Sequence, residues 1–502
     1  MANYLYDNIF GTFAESSKPF LITPSGTISY SEFSAQTSRI ANILITAGIA
    51  PGDRVAVQAE KSVTQLALYA ATVKAGGVYL PLNTGYTPTE VNYFLKDAKP
   101  AVIVVSQTSQ KAIAPFAAHL KAVLLTLNED ETGTLQEQAN RASEQFDAVT
   151  RGSEDLAAIL YTSGTTGRSK GAQICHRNLV SNAQVLADTW QFTGDDTLLH
   201  MLPIYHTHGL FVACNLLAMV GGSMIFLPKF SVETALTWMP QATTMMGVPT
   251  FYTRLLDNEK FTGESTAHMR LFISGSAPLL AETHNRFEAK TGQLILERYG
   301  MTETNMSTSN PCDGERLAGT VGQALPGVDL RIVNSQTGKP VPTGEIGIIE
   351  LKGDNVFLGY WEMAQKTAES FRKDGYFITG DMAQQDENGY VTIVGRDKDL
   401  IISGGLNIYP KEVEALIDEL DSVVESAVIG VAHKDFGEGV VAIVVTEDET
   451  LSQENITEFL KDKIAKFKQP KAILFATSLP RNTMGKVQKA DLRKTYAYLF
   501  SA

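Results

Sequence analysis

Cysteine, excess positive charge and long apolar runs are scarce or missing in this chain. Its three cysteines, Cys175, Cys214 and Cys312, are far apart and form no CxxC pair. This usage is typical of reduced thiols in an intracellular protein and offers no structural metal site. The formal net charge of −13 argues against non-specific binding to nucleic acid or anionic membranes, although it permits a local basic pocket.

Signals for secretion and membrane insertion are also missing. No segment reaches about 18 uninterrupted apolar residues. The N-terminus, MANYLYDNIFGTFAESS, has neither a basic n-region nor a long apolar run. We therefore expect a cytoplasmic protein with no membrane and no nucleic-acid partner. A transit peptide that has already been removed is the alternative.

The chain is too long for one hydrophobic core, and its length predicts about three folding units. Between residues 30 and 300, apolar runs of strand length, such as 101–106 and 122–127, alternate with segments of helical period. Ser31 and Ser62 are the expected N-caps of two of these helices. The alternation predicts the α/β fold class, with two packed α/β layers in a large N-terminal domain.

The pattern changes after about residue 316. Residues 316–395 are rich in predicted strands and in Gly/Pro turns, which indicates a β-rich subdomain. The charged stretch RDKDL at 396–400 is a candidate linker, and short helices and strands beyond it predict a small α+β unit. The predicted domains are residues 1–397 and 398–502.

The stretch ILYTSGTTGRSKGA, residues 159–172, contains five Ser/Thr residues and three glycines after an apolar strand. The glycines let the backbone approach a ligand closely, and the hydroxyls and backbone N–H groups can donate to phosphate oxygens. Lys170 adds a positive charge. The spacing is not that of a Walker motif. Taken alone, this pattern indicates an anion-binding loop, and a surface loop of turn residues is the alternative.

Four further stretches follow it in order: ERYGMTET (297–304), TGD (379–381), GRDKDLIISGGLNIYP (395–410) and PRNTMGKVQK (480–489). Together the five motifs resemble those of the acyl-adenylate-forming enzymes, which include acyl-CoA synthetases, peptide-synthetase adenylation domains and luciferases. The resemblance covers nearly the whole chain. It implies a large adenylation domain with a mobile C-terminal domain. It also implies a two-step reaction, in which a carboxylate attacks the α-phosphate of ATP and a thiol, usually CoA, then displaces AMP.

The resemblance also implies which residues bind ATP. In this sequence they are Thr162, Ser163, Gly164, Thr165, Thr166, Gly167, Lys170, Gly275, Ser276, Ala277, Pro278, Glu297, Arg298, Tyr299, Gly300, Met301, Thr302, Asp381, Arg396 and Lys486. Tyr299 would stack on adenine, Asp381 would accept hydrogen bonds from both ribose hydroxyls, and Arg396 would donate to the ribose or the phosphates.

Four residues are expected, on the same basis, to be catalytic: Lys486, Glu303, Thr302 and His206. Lys486 would be a mobile cation between the substrate carboxylate and the α-phosphate. Glu303 and Thr166 would hold Mg²⁺, which needs few protein ligands when phosphate oxygens and water complete its shell. Neutralising Lys486 would remove the catalytic cation, which makes a lysine acetyltransferase a candidate partner.

The C-terminal motifs are expected to serve the thiol step. Gly404, Gly405 and Leu406 would line the path of the CoA pantetheine, and Lys398 would be the hinge. The run KFKQPK at 466–471 is interpreted as a solvated charged surface, with contact to CoA phosphates as the alternative. Two motif positions depart from the family pattern. The common Pro-Lys of the phosphate loop is Ser169-Lys170, and a usual arginine is Lys489.

In finer detail the chain is similar to malonyl-CoA synthetases, in stretches such as LPIYHTHGLFVA (202–213) and MGVPTFYTRLL (246–256). The acid-binding residues expected from this are His206, Thr207, Arg270, Ser276 and Met306. Arg270 would bind the free carboxylate with its fork-shaped guanidinium, and a structural role for Arg270 is the alternative. His208 is expected to be structural.

Three alternatives stay open at this point. The acid could be methylmalonate, succinate, or an aryl or medium-chain acid. The chain could be a CoA-independent adenylation module that loads a carrier protein. It could also be a non-catalytic nucleotide-binding protein, which the lysine, the glutamate and the phosphate loop oppose.

Overall fold

The computed structural model describes residues 2–162, 169–403, 406–433, 436–461, 463–482 and 485–500. The predicted site residues Ser163, Gly164, Thr165, Thr166, Gly167, Gly404 and Gly405 lie outside these ranges. The strands are β1 (Pro19–Thr23), β2 (Gly26–Ser29), β3 (Arg54–Gln58), β4 (Val78–Pro81), β5 (Val102–Val105), β6 (Val123–Thr126), β7 (Leu156–Thr162), β8 (Lys170–Cys175), β9 (Thr197–His200), β10 (Ser223–Phe226), β11 (Thr244–Gly247), β12 (Leu271–Ser274), β13 (Ile295–Met301), β14 (Asn305–Ser309), β15 (Gln323–Ala324), β16 (Asp329–Val333), β17 (Gly347–Lys352), β18 (Gly359–Tyr360), β19 (Phe377–Gln385), β20 (Val391–Arg396), β21 (Ile401–Ser403), β22 (Leu406–Ile408), β23 (Val423–His433), β24 (Gly437–Thr446) and β25 (Ala472–Ala476).

The α-helices are α1 (Tyr4–Tyr6), α2 (Tyr30–Thr46), α3 (Val63–Lys74), α4 (Pro88–Ala98), α5 (Gln107–Leu120), α6 (Thr134–Ala139), α7 (His176–Thr189), α8 (Asn215–Val220), α9 (Val232–Trp238), α10 (Pro249–Leu256), α11 (Gly263–Thr266), α12 (Ala281–Thr291), α13 (Ala364–Ser370), α14 (Pro410–Ile417), α15 (Gln453–Lys461) and α16 (Lys489–Thr495). Two π-helices span Asp7–Gly11 and His208–Cys214, and 3-10 turns span Met239–Gln241, Asp397–Asp399 and Lys466–Lys468.

Two large, mainly parallel sheets form the body of the protein. The seven-stranded sheet has the order β18-β8-β7-β4-β3-β5-β6, and the nine-stranded sheet has the order β15-β14-β13-β12-β11-β9-β10-β1-β2. Helices α2, α3, α7 and α8 share one cluster of buried hydrophobic side chains with strands of both sheets. Every residue of α3 is buried, as expected for a helix covered on all sides. The expected α/β fold with two packed layers is confirmed.

Local sequence explains where the main helices begin. Ser62 is the N-cap of α3, as predicted, and its side chain accepts from the backbone N–H of Gln65. Helix α2 begins two residues earlier than the prediction from Ser31. Its N-cap is Ser29, which forms a capping box with Glu32, so two otherwise free N–H groups at the helix start are satisfied.

Apart from β18, the strands after β15 form two smaller sheets. Strands β16, β17, β19 and β20 form a four-stranded antiparallel sheet, and β21–β25 form a sheet covered by α14 and α15. The 3-10 turn Asp397–Asp399 connects the two, so the charged RDKDL stretch lies between β20 and β21. The domain boundary at 397/398 stays a prediction. Among the described residues, no helix combines the length and apolarity needed to cross a bilayer.

Candidate functional site

The candidate site lies at one edge of the nine-stranded sheet. Strands β9, β11, β12 and β13 run parallel to one another, so their carboxyl ends meet at the same edge. The chain leaves β9 into the segment that holds His206, and leaves β12 into Gly275 and Ser276, while Arg298 and Tyr299 lie on β13. Ligands of open α/β sheets bind at this edge.

Buried polar atoms without a hydrogen-bond partner are concentrated here. In the described part of the chain they include His206 Nε2, Thr207 Oγ1, His208 Nε2, Ser274 Oγ, and Arg298 Nε and Nη2. Buried polar atoms in native proteins are nearly always paired, because leaving one unpaired is unfavourable by about 1–3 kcal/mol. The concentration of such atoms from three strand ends indicates that a polar ligand completes their hydrogen bonds.

Arg298 is the only cation in that group, and it is 3% exposed. Burial lowers its pKa to about 10, so the guanidinium is still charged at neutral pH. A Cβ atom at position 275 would lie 2.4 Å from Arg298 Cζ, so this close approach requires Gly275. The next residue, Ser276, has φ +71° and lies 3.2 Å from His208 Nδ1 through its Oγ atom. The loop after β12 is therefore wrapped around the guanidinium.

Lys486 lies near enough to His206 to influence its protonation. Burial lowers the pKa of His206 to about 3, and the positive charge of Lys486 acts in the same direction. Loss of water lowers the pKa of Lys486, with Arg396 and Arg298 adding to the effect and Asp381 and Glu303 opposing it. The C-terminal part of the chain thus brings its lysine to the edge of the large sheet, near the acidic groups Glu303 and Asp381 and the basic groups Arg298 and Arg396.

A second cluster joins the β-rich subdomain to β13. The Tyr299 hydroxyl donates to Asp381 Oδ2 at 2.6 Å, and Arg396 Nε lies 2.6 Å from Asp381 Oδ1. Asp381 and Arg396 are paired across β19 and β20. A carboxylate has about four lone-pair sites, so Asp381 keeps capacity for further donors such as ribose hydroxyls. Its predicted role is compatible with this geometry and stays a prediction.

The third cluster adjoins the phosphate-loop motif. The hydroxyl of Tyr360 donates to Glu303 Oε1 at 3.1 Å, and Lys170 Nζ lies 4.4 Å from the centre of the Tyr360 ring. Glu303 Oε2 accepts no hydrogen bond from the described residues, which leaves a carboxylate oxygen for a hard cation such as Mg²⁺. Sequence reasoning missed Tyr360, and no motif marks it, because its partner Glu303 is 57 residues away.

The remaining predicted residues take varied positions. Met306 is buried on β14 opposite Gly300. Glu297 Oε1 accepts from the backbone N–H of Leu279 and so anchors the loop that contains Ala277 and Pro278. Met301 ends β13, and Thr302 follows it in the turn to β14. Leu406 is exposed on β22. Lys489, which replaces the usual arginine, lies 2.5 Å from the buried carboxylate of Glu414.

Arg270 is not brought to the site. It precedes β12, at the amino end of the strand, whereas Ser276 follows the carboxyl end. Its guanidinium forms a bidentate pair with Asp196, with Nε and Nη2 at 2.7 and 2.8 Å from the two carboxylate oxygens, and Nη1 donates to the carbonyl of Trp190. The expectation that Arg270 grips the substrate carboxylate is therefore corrected. Arg298, which the motif suggested for ATP, lies instead at the carboxyl edge of the sheet, beside the other unpaired polar atoms.

We expect Arg270→Leu to lower stability without changing the KM for the acid. The substitution leaves the Asp196 carboxylate, which is 4% exposed, without its guanidinium. Losing a charged hydrogen-bond partner should reduce the free energy of unfolding by about 1–3 kcal/mol. Urea denaturation and steady-state kinetics on the same preparation check both parts. An increase in KM for the acid with unchanged stability would contradict this assignment.

Profiles of known protein families match most of the chain. The AMP-binding enzyme family matches residues 13–361, and the AMP-binding enzyme C-terminal domain matches residues 412–486. The chain belongs to the AMP-binding enzyme family. The resemblance seen in the five motifs is thereby confirmed.

This AMP-binding enzyme is 34% identical over 486 residues to a malonate–CoA ligase of Arabidopsis thaliana, a match that covers 89% of this chain and 79% of the relative. It is 56% identical to MatB from Rhodopseudomonas palustris. The ATP-bound crystal structure of MatB superposes with a TM-score of 0.98 over 99% of this chain and 100% of the MatB chain. The apo structure, with the same identity and coverage, gives 0.86. The arrangement of this AMP-binding enzyme is thus closer to that of the ATP-bound relative.

Proposed function

We propose that this protein is an ATP-dependent acid–CoA ligase that makes malonyl-CoA from malonate, with methylmalonate as a second acid. Malonate attacks the α-phosphate of ATP through one carboxylate oxygen, pyrophosphate leaves, and malonyl-AMP forms. The thiolate of CoA then attacks the acyl carbon, and AMP leaves with the bonding electrons. The names of the most similar relatives support this reaction class and this acid.

The choice of acid depends on one observation: the buried guanidinium of Arg298 has two nitrogen atoms without a hydrogen-bond partner among the described residues. A buried guanidinium without a carboxylate partner is unfavourable, because its charge is removed from water without compensation. A monocarboxylic acid brings one carboxylate, which is consumed as the acyl group. A short dicarboxylic acid brings a second, and Arg298 Nε and Nη2 are the free donors that could bind it in a bidentate manner. Thr207 and Met306 are proposed to close the pocket against longer chains.

The cations of the cleft would serve the adenylation step. Lys486 lies among Glu303, Asp381 and Arg396, so its ammonium can compensate the charge of the attacking carboxylate and of the α-phosphate together. Lys170 would bind the outer phosphates with the hydroxyl loop that precedes it. Holding the two reacting anions in line is the main contribution an enzyme makes to this kind of transfer.

We also propose Mg²⁺ as the metal, with Glu303 as its protein ligand and Thr166 as the predicted second. When bound, the ion would neutralise phosphate charge. The Tyr360 hydroxyl orients the Glu303 carboxylate and leaves Oε2 for the ion, while water and phosphate oxygens complete the shell.

The thiol step is proposed to follow a rotation about Lys398, which lies in the 3-10 turn between β20 and β21. We expect Lys398→Pro to slow thioester formation several-fold more than adenylation, because proline fixes φ at the turn that must change. Single-turnover measurements of acyl-AMP formation and of its decay with CoA separate the two steps. Wild-type rates in both steps would refute the hinge.

One assay separates the proposed function from its alternatives. Pyrophosphate release is measured with and without CoA for malonate, methylmalonate, succinate, propionate, benzoate and octanoate. We expect the highest kcat/KM with malonate and multiple turnovers only with CoA. Efficient turnover of an aryl or medium-chain acid would overturn the choice of acid. Multiple turnovers with a carrier protein, but not with CoA, would overturn the CoA ligase assignment.

Two further expectations belong with this proposal. We place the enzyme in the cytoplasm, where its small-molecule substrates ATP, CoA and the acid are available. We also propose that a lysine acetyltransferase regulates it at Lys486, because acetylation removes the positive charge that the adenylation step needs.

A further inference from the structure

A buried lysine–histidine pair lies behind the acid pocket. Lys61 follows β3 of the seven-stranded sheet, yet its Nζ atom contacts the ends of two strands of the nine-stranded sheet. It lies 2.6 Å from His200 Nδ1, 2.9 Å from the carbonyl oxygen of His200 and 2.6 Å from that of Leu227. The ammonium also lies 4.3 Å from the centre of the Phe226 ring. Lys61 is 8% exposed and His200 is 1% exposed.

The other ring nitrogen of His200, Nε2, contacts the backbone of the segment that follows β9 and contains His206. His200 Nε2 lies 2.8 Å from the carbonyl oxygen of Gly209, which can only accept a hydrogen bond, so Nε2 carries a proton. In this tautomer Nδ1 is the acceptor nitrogen, and it faces Lys61 Nζ, which also contacts the two carbonyl oxygens. The His200 ring thus connects Lys61 to the Gly209 carbonyl, which also accepts from Cys214 Sγ at 3.1 Å.

Gly209 shares a tight turn with the residues that face the site. It lies in the π-helix His208–Cys214, a type of helix that is common at functional sites. A Cβ atom at Gly209 would lie 2.1 Å from the carbonyl oxygen of Pro203, so the segment from 203 to 209 folds tightly on itself. Directly before Gly209 are His206, Thr207 and His208, whose unpaired polar atoms face the site.

We propose that Lys61 and His200 are positioning residues for the acid substrate. They tie the seven-stranded sheet to the carbonyl group of Gly209 and so fix the position of the segment His206–His208 relative to Arg298. Neither residue touches the acid. Their hydrogen bonds act through the segment, whose position determines how closely the acid fits. This inference takes the identity of the acid, and nothing else, from the proposed function.

The test uses the full-length enzyme and the acid that the wild type converts with the highest kcat/KM. We expect Lys61→Met and His200→Leu to raise the KM for that acid about 10-fold to 100-fold, because displacing a positioning group by about 1 Å has effects of this size. The KM for ATP should change less than twofold. His200→Gln should restore most of the affinity for the acid, because its amide can still donate to the Gly209 carbonyl.

Lys74→Met is the matched control. Lys74 is also a buried lysine, with Nζ 2.8 Å from Ser38 Oγ and 4.9 Å from the centre of the Tyr6 ring, but it lies at the end of α3. We expect this variant to lower Tm without changing the KM for the acid. An equal change in the KM values for acid and ATP in Lys61→Met, or a His200→Gln variant as impaired as His200→Leu, would overturn the proposal.

A fallback keeps the inference testable if the two apolar variants do not fold. The discrimination between malonate and methylmalonate is then compared in His200→Gln and His200→Asn, because the shorter asparagine cannot reach Gly209. Equal discrimination in both would contradict positioning. If the wild type prefers an acid other than malonate, the proposed function fails. In that case the same two variants are compared on the preferred acid and on the acid that has one more methyl group. Failure of the proposed function and failure of the positioning role therefore give different results.

Discussion

Lys486→Ala should lower the rate of adenylation by about 10²–10³-fold, the usual effect of removing one positioned donor from a developing charge. Thioester formation from preformed acyl-AMP should stay near the wild-type rate. The reason is that this structure resembles an ATP-bound relative, and in it Lys486 lies near Arg298, Glu303 and Asp381. We expect the C-terminal domain to carry Lys486 away from these groups before the thiol step. Acid-dependent exchange of labelled pyrophosphate into ATP measures the first step, and CoA-dependent decay of acyl-AMP measures the second.

Lys494→Ala is the control for this result. Lys494 lies on α16 of the same domain, has an 80% exposed side chain and pairs only with Asp491 among the described residues. Its removal should leave both steps unchanged. Acetylation of Lys486 by a purified acetyltransferase should reproduce the loss in adenylation. Equal impairment of both half-reactions in Lys486→Ala would mean that the lysine has a general structural role.

Arg298→Leu should lower kcat/KM for malonate by about 30-fold to 4,000-fold, because losing the partner of a desolvated charge has an effect of about 2–5 kcal/mol and each factor of ten corresponds to about 1.4 kcal/mol. The same variant should gain relative activity on propionate, which has a methyl group where malonate has its second carboxylate. Competition between the two acids in one reaction, with the products separated by chromatography, measures the change in preference directly.

Stability distinguishes this role from a structural one. The guanidinium of Arg298 has two buried nitrogen atoms without partners in the described structure, so leucine removes an uncompensated buried charge and should leave Tm unchanged or raise it. Arg270→Leu is the opposite case, since it breaks a formed ion pair with Asp196 and should lower Tm while leaving malonate kinetics unchanged.

Arg298→Lys keeps a charge but not the planar fork, and should recover only part of the activity. If Arg298→Leu loses stability and retains its preference for malonate, the acid-pocket assignment is wrong.

Ordered motifs allowed the family, the two-step chemistry and the α/β class to be predicted, because each motif depends on local residue types. Such features can be recognised within a few residues of sequence. Examples are the strand that precedes the Gly- and hydroxyl-rich run, and Ser62 as the N-cap of α3. The pairing of Asp381 with Arg396 could not be derived this way, since it depends on the register of β19 against β20.

The proposed acid pocket shows most directly what could not be predicted from the sequence. Arg270 and Arg298 each lie beside a strand in the sequence, and either could bind a carboxylate. The sequence by itself determined which candidate groups are present: a hydroxyl- and glycine-rich run, Lys486 in a C-terminal motif, and two guanidinium groups. Only the tertiary structure decided which of the two arginines lies at the candidate site. The direction of β12 leaves Arg270 at the opposite edge with Asp196, whereas β13 carries Arg298 to the edge where several buried polar atoms of the described residues have no hydrogen-bond partner. A side chain's chemistry is local, but its partner is set by strand direction and register over many residues.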